Sequence, residues 1–224
     1  MRSVGLLAGM TVIVGAYGCA FHLGMSGGKS VAGSGVAKTE SRSVADFDSV
    51  NLSGMGKVII RQSDKETLSV SADDNLLPLL QSKVINGTLQ LDVAPGVDLK
   101  PTRTVEFDID VKKLTNITVS GAGDIQANDI NGKELAVSLS GAGNVALSGQ
   151  VTDVRLTLAG AGNVDAAGLK AHQATVDSSG VGHAVVNASD KLNVNLSGIG
   201  SVEYIGTPQL EKNISGIGKV TQRR

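Results

Sequence analysis

Aromatic residues are almost missing from this sequence, which contains no Trp, two Tyr and three Phe among 224 residues. Aromatic side chains normally supply much of the bulk of a globular core. Nevertheless, 41% of the residues are hydrophobic, and Val, Leu, Ile and Ala dominate this set. Such slender side chains favour a core of many thin layers, as in a repeated sheet, over a single packed centre.

Proline, cysteine and net charge are also scarce. Four Pro beside 29 Gly argue against a disordered linker, and the third-residue glycine spacing of collagen is absent. A formal net charge of −1 offers no basic footprint for nucleic acid, so no nucleic-acid partner is expected. One cysteine, Cys19, excludes an internal disulfide.

The first 18 residues have the composition of a secretory signal peptide. A single positive residue, Arg2, precedes about 14 mainly apolar residues, a run that is too short to span a bilayer as a helix. Residues 1–18 are therefore predicted to be a signal peptide, and the protein is predicted to be exported.

Cys19 directly follows Gly18 at the end of this apolar run, as in a bacterial lipobox. We expect Cys19 to be lipidated and to tether the protein to the membrane, as an outer-membrane lipoprotein that faces the periplasm or the cell surface. Ordinary signal-peptidase cleavage before Phe21 is the alternative. Residues 19–43 are rich in Gly and Ser and are predicted to be a flexible tether.

A Ser-Gly-x-Gly motif recurs along the chain. Its copies begin at Ser53, Ser120, Ser140, Ala159 (with Ala in place of Ser), Ser179, Ser197 and Ser215. From the second copy onward, the starts are 20, 19, 20, 18 and 18 residues apart. We predict tight stacked turns here, because glycine accepts positive φ or close backbone approach, and Ser is expected to bond the backbone of its own turn. The turn glycines of these copies are Gly121, Gly123, Gly141, Gly143, Gly160, Gly162, Gly180, Gly182, Gly198, Gly200, Gly216 and Gly218.

Apolar residues alternate with polar ones on both sides of each turn. Around the turn at Ala159, for example, Leu156 precedes and Val164 follows in inward positions. A period of two is typical of strands with one buried face. Each repeat of about 18–20 residues is therefore predicted to be one rung of a parallel β-solenoid. Each rung has at least two short strands, such as 153–158 and 163–166, and neighbouring rungs lie ~4.8 Å apart.

The regular rungs are assigned to residues 116–222, at the end of a folded domain over 44–222. In the last rung, Lys212 and Gln222 occupy columns that are apolar elsewhere, as expected where a core meets solvent.

Residues 44–115 are predicted to form a less regular β-rich lead-in to the rungs. Several of its segments alternate as strands do, and Asn86-Gly87 is a strong hairpin signal. A short helix is expected over residues 74–81.

Several segments together resemble a known family. Val50–Val58 reads Val-x-Leu-x-Gly-x-Gly-x-Val, and a stretch like Ala72–Leu77 and the run Asn86–Leu89 follow. Ser-Gly-Ala-Gly-Asp/Asn units come next, and Tyr204–Pro208 precedes the last repeat. In this combination the chain resembles the head GIN domain of putative auto-transporter adhesins over about residues 44–222. The resemblance implies a single-stranded, right-handed parallel β-helix-like fold, a cell-envelope location, an adhesive role and no catalytic residue.

The glycine turns do not have the pattern of a phosphate or calcium site. A phosphate loop needs one such turn at the start of a helix, whereas seven copies here are followed by strands. A calcium β-roll needs regularly placed Asp in nonapeptide repeats. The column after the second glycine contains one carboxylate: it reads Lys57, Asp124, Asn144, Asn163, His183, Ser201 and Lys219. At the last three of these positions the chain departs from the Asp or Asn common in the family, which argues against a shared ligand site.

The histidines are too dispersed to predict a zinc or catalytic site, which needs convergent partners. His22 lies in the tether, His172 is placed in a loop, and His183 lies at a turn, so all three are expected to be exposed. No metal or cofactor is expected.

Two carboxylate pairs are candidates for sugar chemistry: Asp108 with Asp110 on one strand face, and Asp73 beside Asp74. Without aromatic platforms, both pairs are predicted to lie on an edge strand or a solvated face.

The expected function is therefore a non-enzymatic structural or interaction module of the cell envelope, adhesin-like, with a glycan or protein as its ligand. Two alternatives stay open: a polysaccharide-active β-helix enzyme and a periplasmic ligand-binding module. An enzyme needs a concave groove with clustered acids or Arg. A scaffold has flat faces lined with Ser, Thr and Asn.

Overall fold

The computed structural model describes residues 28–223. Within this range the elements are strands, apart from one 3-10 turn at Leu77–Leu79. The strands that precede the regular rungs are β1 (Lys29–Ala32), β2 (Ala37–Arg42), β3 (Ser49–Leu52), β4 (Met55–Gln62), β5 (Thr67–Asp73), β6 (Leu80–Ile85), β7 (Thr88–Val93), β8 (Val97–Lys100), β9 (Glu106–Val111) and β10 (Asn116–Val119). The rungs are formed by β11 (Ala122–Leu139), β12 (Ala142–Leu158), β13 (Ala161–Ser178), β14 (Val181–Leu196), β15 (Ile199–Ile205), β16 (Gln209–Ile214) and β17 (Ile217–Gln222).

These rungs stack in parallel as a β-solenoid of about five turns, which confirms the predicted architecture. Each of β11 to β14 is a continuous strand of 16 to 18 residues rather than two short ones. The chain bends within each strand where the register shifts, for example between Ala127 and Ile130. The strand breaks at the Ser-Gly step of each repeat.

The core consists of columns of aliphatic side chains, one layer per rung. In one column Val137, Leu156, Val176 and Val194 are in register and at most 2% exposed. The next member of this column is Lys212, which is exposed, as is Gln222 in its own column. The predicted columns and the polar last rung are therefore confirmed.

The N-terminal half continues these ladders and then closes them. β3 and β4 stack in parallel on β10 and β11, and β7 and β9 stack on β3 and β4. β5, β2 and β6 then pair in antiparallel fashion, so they end the stack. The predicted hairpin is present between β6 and β7, with φ of 49° at Asn86 and 75° at Gly87.

Two predictions for this half are wrong. The helix expected over residues 74–81 is reduced to the 3-10 turn, because Pro78 lacks a backbone N–H donor and Leu80 already belongs to β6. The tether expected over residues 19–43 extends too far, because β1 pairs with β8 and β2 pairs with β5. Its Gly/Ser content suggested a coil, but backbone pairing to distant strands orders the segment from residue 29.

Candidate functional site

Stacking of the turn glycines is governed by close approach of successive rungs. From the copy at Ser120 onward, a Cβ on the first glycine of a turn would lie 1.9 to 2.1 Å from the carbonyl oxygen of its counterpart one rung before. For the second glycine this distance is 1.7 to 1.9 Å. Gly182 has no left-handed φ, so its need for glycine is steric rather than conformational. The structure thus brings the predicted turn glycines together in two columns.

Backbone hydrogen bonds hold each turn against the preceding rung. The N–H groups of Ser140 and Gly141 both donate to the carbonyl of Val119, each at 2.9 Å, and Ala142 donates to Gly121 at 3.0 Å. The Ser140 hydroxyl also donates to the Val119 carbonyl, at 3.3 Å. The serine therefore bonds the neighbouring rung and not, as predicted, the backbone of its own turn.

The column after the second glycine forms a hydrogen-bonded chain, here called the polar ladder (Asp124, Asn144, Asn163, His183 and Ser201). Asp124 Oδ1 accepts from Asn144 Nδ2 at 2.8 Å, and Asn144 Oδ1 accepts from Asn163 Nδ2 at 2.9 Å. The backbone N–H of His183 donates to Asn163 Oδ1 at 3.1 Å, and its Nδ1 lies 2.8 Å from Ser201 Oγ. These polar groups satisfy one another along the column.

A depression follows the outward side chains of the rungs just before the turns; it is called the lateral groove. Its main part, about 620 Å³, is lined by Thr115, Glu134, Leu135, Ala136, Asp153, Val154, Arg155, Gln173, Ala174, Thr175 and Asn193. A second part of about 480 Å³ continues to the last rung and shares Arg155, Thr175 and Asn193.

Two in-register columns form the polar lining of this groove. The first contains Glu134, Asp153 and Gln173, and the second contains Arg155 and Thr175. Such columns are invisible to local sequence motifs, because their members are 19 or 20 residues apart. Alignment of the repeats provides the signal that would have found them.

Two contacts distinguish the far end of the lateral groove. Arg155 forms an ion pair with Asp177 at 3.1 Å, and Asn195 Nδ2 donates to Asp177 at 2.8 Å. Asn193 Oδ1 is buried and has no hydrogen-bond partner among the described residues. A buried acceptor without a donor is unfavourable, so a donor supplied at this place would be stabilising.

A second depression, of about 550 Å³, lies on the neighbouring side of the rungs and includes His172 and Ser189. His172 lies on β13 and not in the expected loop; its exposed ring approaches Asp190 at 3.2 Å. The Ser189 hydroxyl donates to Asp190 and, with a smaller contribution from His172, holds the pKa of Asp190 below its ordinary value. The predicted exposure of His172 agrees with the structure, whereas His183 is half-buried; His22 lies outside the described residues.

The carboxylate pairs predicted from the sequence bind neighbouring strands. Asp108 lies 3.6 Å from Arg61, and Asp110 accepts from Thr67 at 2.8 Å on the outer face of β9. Their placement on a strand face follows the prediction. Neither carboxylate lines the lateral groove.

Asp73 departs from the prediction, because it is fully buried instead of solvated. It accepts from the Thr102 hydroxyl at 2.6 Å, from the Thr102 N–H at 2.9 Å and from the Gly35 N–H at 2.9 Å. The Thr102 side chain is the main cause that lowers the pKa of Asp73 below its ordinary value, and the backbone donors and Arg103 add to it. Asp73 thus fastens the segment between β1 and β2 to β5.

Within residues 28–223, no group of three or more His, Cys, Asp or Glu is placed to hold a metal ion. No helix in the same range is long and apolar enough to cross a membrane. Cys19 and residues 1–18 lie outside the described range.

Comparison with known proteins identifies the family. The family model described as putative auto-transporter adhesin, head GIN domain, matches residues 46–208. The chain belongs to this family. None of the curated proteins matches the chain.

Solved structures share the fold of this head GIN domain protein. A putative adhesin from Bacteroides fragilis is 24% identical with a TM-score of 0.71, covering 86% of this chain and all of the other. A putative lipid binding protein from Parabacteroides distasonis is also 24% identical, with a TM-score of 0.58, and covers 88% of this chain and all of the other. At these identities the likeness shows the fold alone.

Proposed function

We propose that this protein is a non-enzymatic interaction module of the cell envelope that binds a glycan or an extended protein segment in its lateral groove. The observation that carries the proposal is the repeated polar lining of the groove. Carboxylate, amide and hydroxyl groups each occur twice in the lining, on rungs that are separated by the ~4.8 Å strand spacing, and Arg155 adds one guanidinium group. A surface that repeats in this way suits an extended ligand with repeated polar groups.

The groove offers both donors and acceptors. Glu134 and Asp153 accept, Arg155 donates, and Thr175 does both. Sugar hydroxyls and peptide groups also donate and accept, so each can be matched by several groove residues. Asn193 also lines the groove, and its buried Oδ1 has no hydrogen-bond donor among the described residues.

A polysaccharide-active enzyme is the second candidate, favoured by one observation. Glu134 and Asp153 are in register on adjacent rungs of the groove, so their Cα atoms are separated by about one strand spacing, ~4.8 Å. Retaining glycosidases hold their two carboxyl groups ≈ 5–5.5 Å apart. The groove contains no aromatic residue among its lining side chains to stack on a sugar, and for this reason we favour binding over hydrolysis.

Binding by the purified protein to a glycan and matrix-protein array tests the proposal. Thr175→Ala and Asp153→Asn are expected to weaken any array signal about tenfold, the effect of losing about 1.4 kcal/mol of binding free energy. The matched control is Gln126→Ala, an exposed position of β11 that does not line the groove. Equal losses in the control and groove variants, or no array signal from wild type, would contradict the proposal.

Hydrolysis is measured on the same polysaccharides. Under the binding proposal, wild type releases no sugar. Release of sugar by wild type that is abolished by both Glu134→Gln and Asp153→Asn would establish the enzyme instead.

We also propose that Cys19 anchors the protein through a lipid, after export directed by residues 1–18. Because β1 begins at Lys29, ten residues beyond Cys19, the fold would lie within about 36 Å of the anchor even with that segment fully extended. Labelled palmitate is expected to enter the wild-type protein and not Cys19→Ala. Equal labelling of both would contradict lipidation, and secretion of an unlabelled protein would support ordinary cleavage.

A further inference from the structure

From the second copy onward, the middle residue of each Ser-Gly-x-Gly turn lies on the outside of the solenoid, in register with its counterparts. This column is called the corner ridge; it consists of Ala122, Ala142, Ala161, Val181, Ile199 and Ile217. Met55, in register on the rung before, is half-buried and packs against the core. Val181 is 58% exposed, Ile199 54% and Ile217 74%. Single exposed aliphatic residues are ordinary on a protein surface, but three in register on successive rungs form a continuous apolar strip.

Side-chain size changes along the ridge in one direction. The three rungs from Ala122 to Ala161 carry exposed Ala, and the three rungs from Val181 to Ile217 carry large β-branched residues. One half is therefore low and the other half protrudes. If a second copy of the ridge is turned by 180° about the point between Ala161 and Val181, each large residue of one copy lies opposite a small residue of the other.

Charge also differs between the two ends of the ridge. The polar ladder beside it has the carboxylate of Asp124 at one end and, beyond Ser201, is followed in register by the ammonium of Lys219. Lys57, in register on the rung before Asp124, forms an ion pair with Glu106 at 3.6 Å. The reversal that matches sizes also brings Asp124 opposite Lys219. Both charges are exposed at the two ends of the six-rung strip.

We propose that the corner ridge is a self-association surface, on which two copies of this chain pack antiparallel about a two-fold axis. In this arrangement Ile217 of one copy lies over Ala122 of the other, Ile199 over Ala142, and Val181 over Ala161. A two-fold interface makes each such contact twice, which is how a closed dimer arises. Parallel packing would instead place Ile217 over Ile217 and leave a gap between the alanines.

The geometry also sets the strength of the dimer. The strip extends over five rung steps, roughly 24 Å, and is only a few residues wide. Its contact area lies at the low end of the range for specific complexes, so the dimer is weak and reversible. This inference does not depend on the proposed function of the lateral groove.

Sedimentation velocity of the purified protein over a concentration series tests the proposal by a charge exchange. Wild type is expected to dimerise with a dissociation constant in the micromolar-to-millimolar range. Asp124→Lys and Lys219→Asp are each expected to raise that constant about tenfold, and the double variant to restore it. Because the two residues are roughly 24 Å apart in one chain, restoration must act between copies. Lys170→Asp, a charge change on β13 away from the ridge, is the control and is expected to leave the constant unchanged.

A disulfide experiment in a Cys19→Ser background fixes the direction of packing. The Ala142→Cys/Ile199→Cys protein is expected to form covalent dimers on oxidation, and Ile199→Cys alone is not. Cross-linking by Ile199→Cys alone would show parallel packing and overturn the proposal. A wild-type protein that stays monomeric throughout, or a charge-exchanged double variant no tighter than the single variants, would also overturn it. Thermal melts confirm that each variant is folded.

Discussion

Replacement of Gly182 by Ala is the most direct test of the stacked-rung architecture. Gly182 lies at the second glycine position of its turn, in register with Gly162 on the preceding rung. The added Cβ would be 1.7 Å from the Gly162 carbonyl oxygen and 2.9 Å from its carbonyl carbon. Carbon and oxygen in ordinary contact need more than about 3 Å, so the two rungs must separate locally by over 1 Å.

Such a separation would break the hydrogen bonds that join this turn to the rung before it. Three backbone bonds cross the same gap: Ser179 N–H and Gly180 N–H to the Leu158 carbonyl, at 2.8 and 2.9 Å, and Val181 N–H to the Gly160 carbonyl, at 3.0 Å. At about 1 kcal/mol each, their loss is worth about 3 kcal/mol, and residual strain adds to it. We expect Gly182→Ala to lower the free energy of unfolding by about 3–5 kcal/mol.

Gly132→Ala is the matched control, because Gly132 also lies in a rung strand but an added Cβ would contact nothing within 4 Å. Its substitution is expected to be neutral or to stabilise by up to about 1 kcal/mol through the unfolded state. Urea unfolding followed by circular dichroism measures both variants. If Gly182→Ala unfolds within about 0.5 kcal/mol of wild type, close rung stacking is not what requires glycine at this position.

Three further predictions address the core, the buried carboxylate and the N-terminal cap. Leu156→Ala, at a site with no exposure, is expected to cost about 2–5 kcal/mol of unfolding free energy in the same urea assay. Because the pKa of Asp73 is lowered in the folded state, its contribution to stability is complete above the ordinary value of 3.8 and is lost as the pH falls through the folded pKa. Asp73→Asn should therefore lose less thermal stability in acid than wild type does. An equal loss in the two proteins would refute this role. Arg42→Met removes donors to the carbonyls of Leu77 and Leu80 and should lower stability by about 2–3 kcal/mol, whereas an unchanged melting temperature would contradict that contribution.

The rungs could be predicted from the sequence because their determinants are local and repeated. Alternation of apolar residues around each turn, as at Leu156 and Val164, fixes which side chains face inward, and both are fully buried. The glycine spacing then fixes the register between rungs. Continuity of the strands could not be predicted, because the bends near Ala127 interrupt the alternation without ending the backbone ladder.

The N-terminal strands and the groove depend on contacts between residues far apart in the chain, and a local sequence pattern does not predict such contacts. β1 pairs Lys29 with Val97, and β2 pairs Ala37 with Asp73, in segments whose polar composition resembles a coil. The sequence predicts that Asp73 is a surface residue, because Gly35 and Thr102, which surround it in the fold, are distant from it in the chain. Asp153 likewise acquires its groove neighbours from other rungs.

The two ends of the solenoid differ in structure, and this difference affects how copies of the protein can associate. Antiparallel strands close the N-terminal end, whereas the last rung carries Glu211, Lys212 and Lys219 on β16 and β17, all exposed. Charged residues on an edge strand oppose pairing with another chain. End-to-end growth of the stack is therefore disfavoured, while the corner ridge keeps its exposed aliphatic side chains, such as Ile217, on the side of the solenoid. Association across that side closes as a dimer, because a two-fold contact uses the same surface on both copies and leaves none for a third.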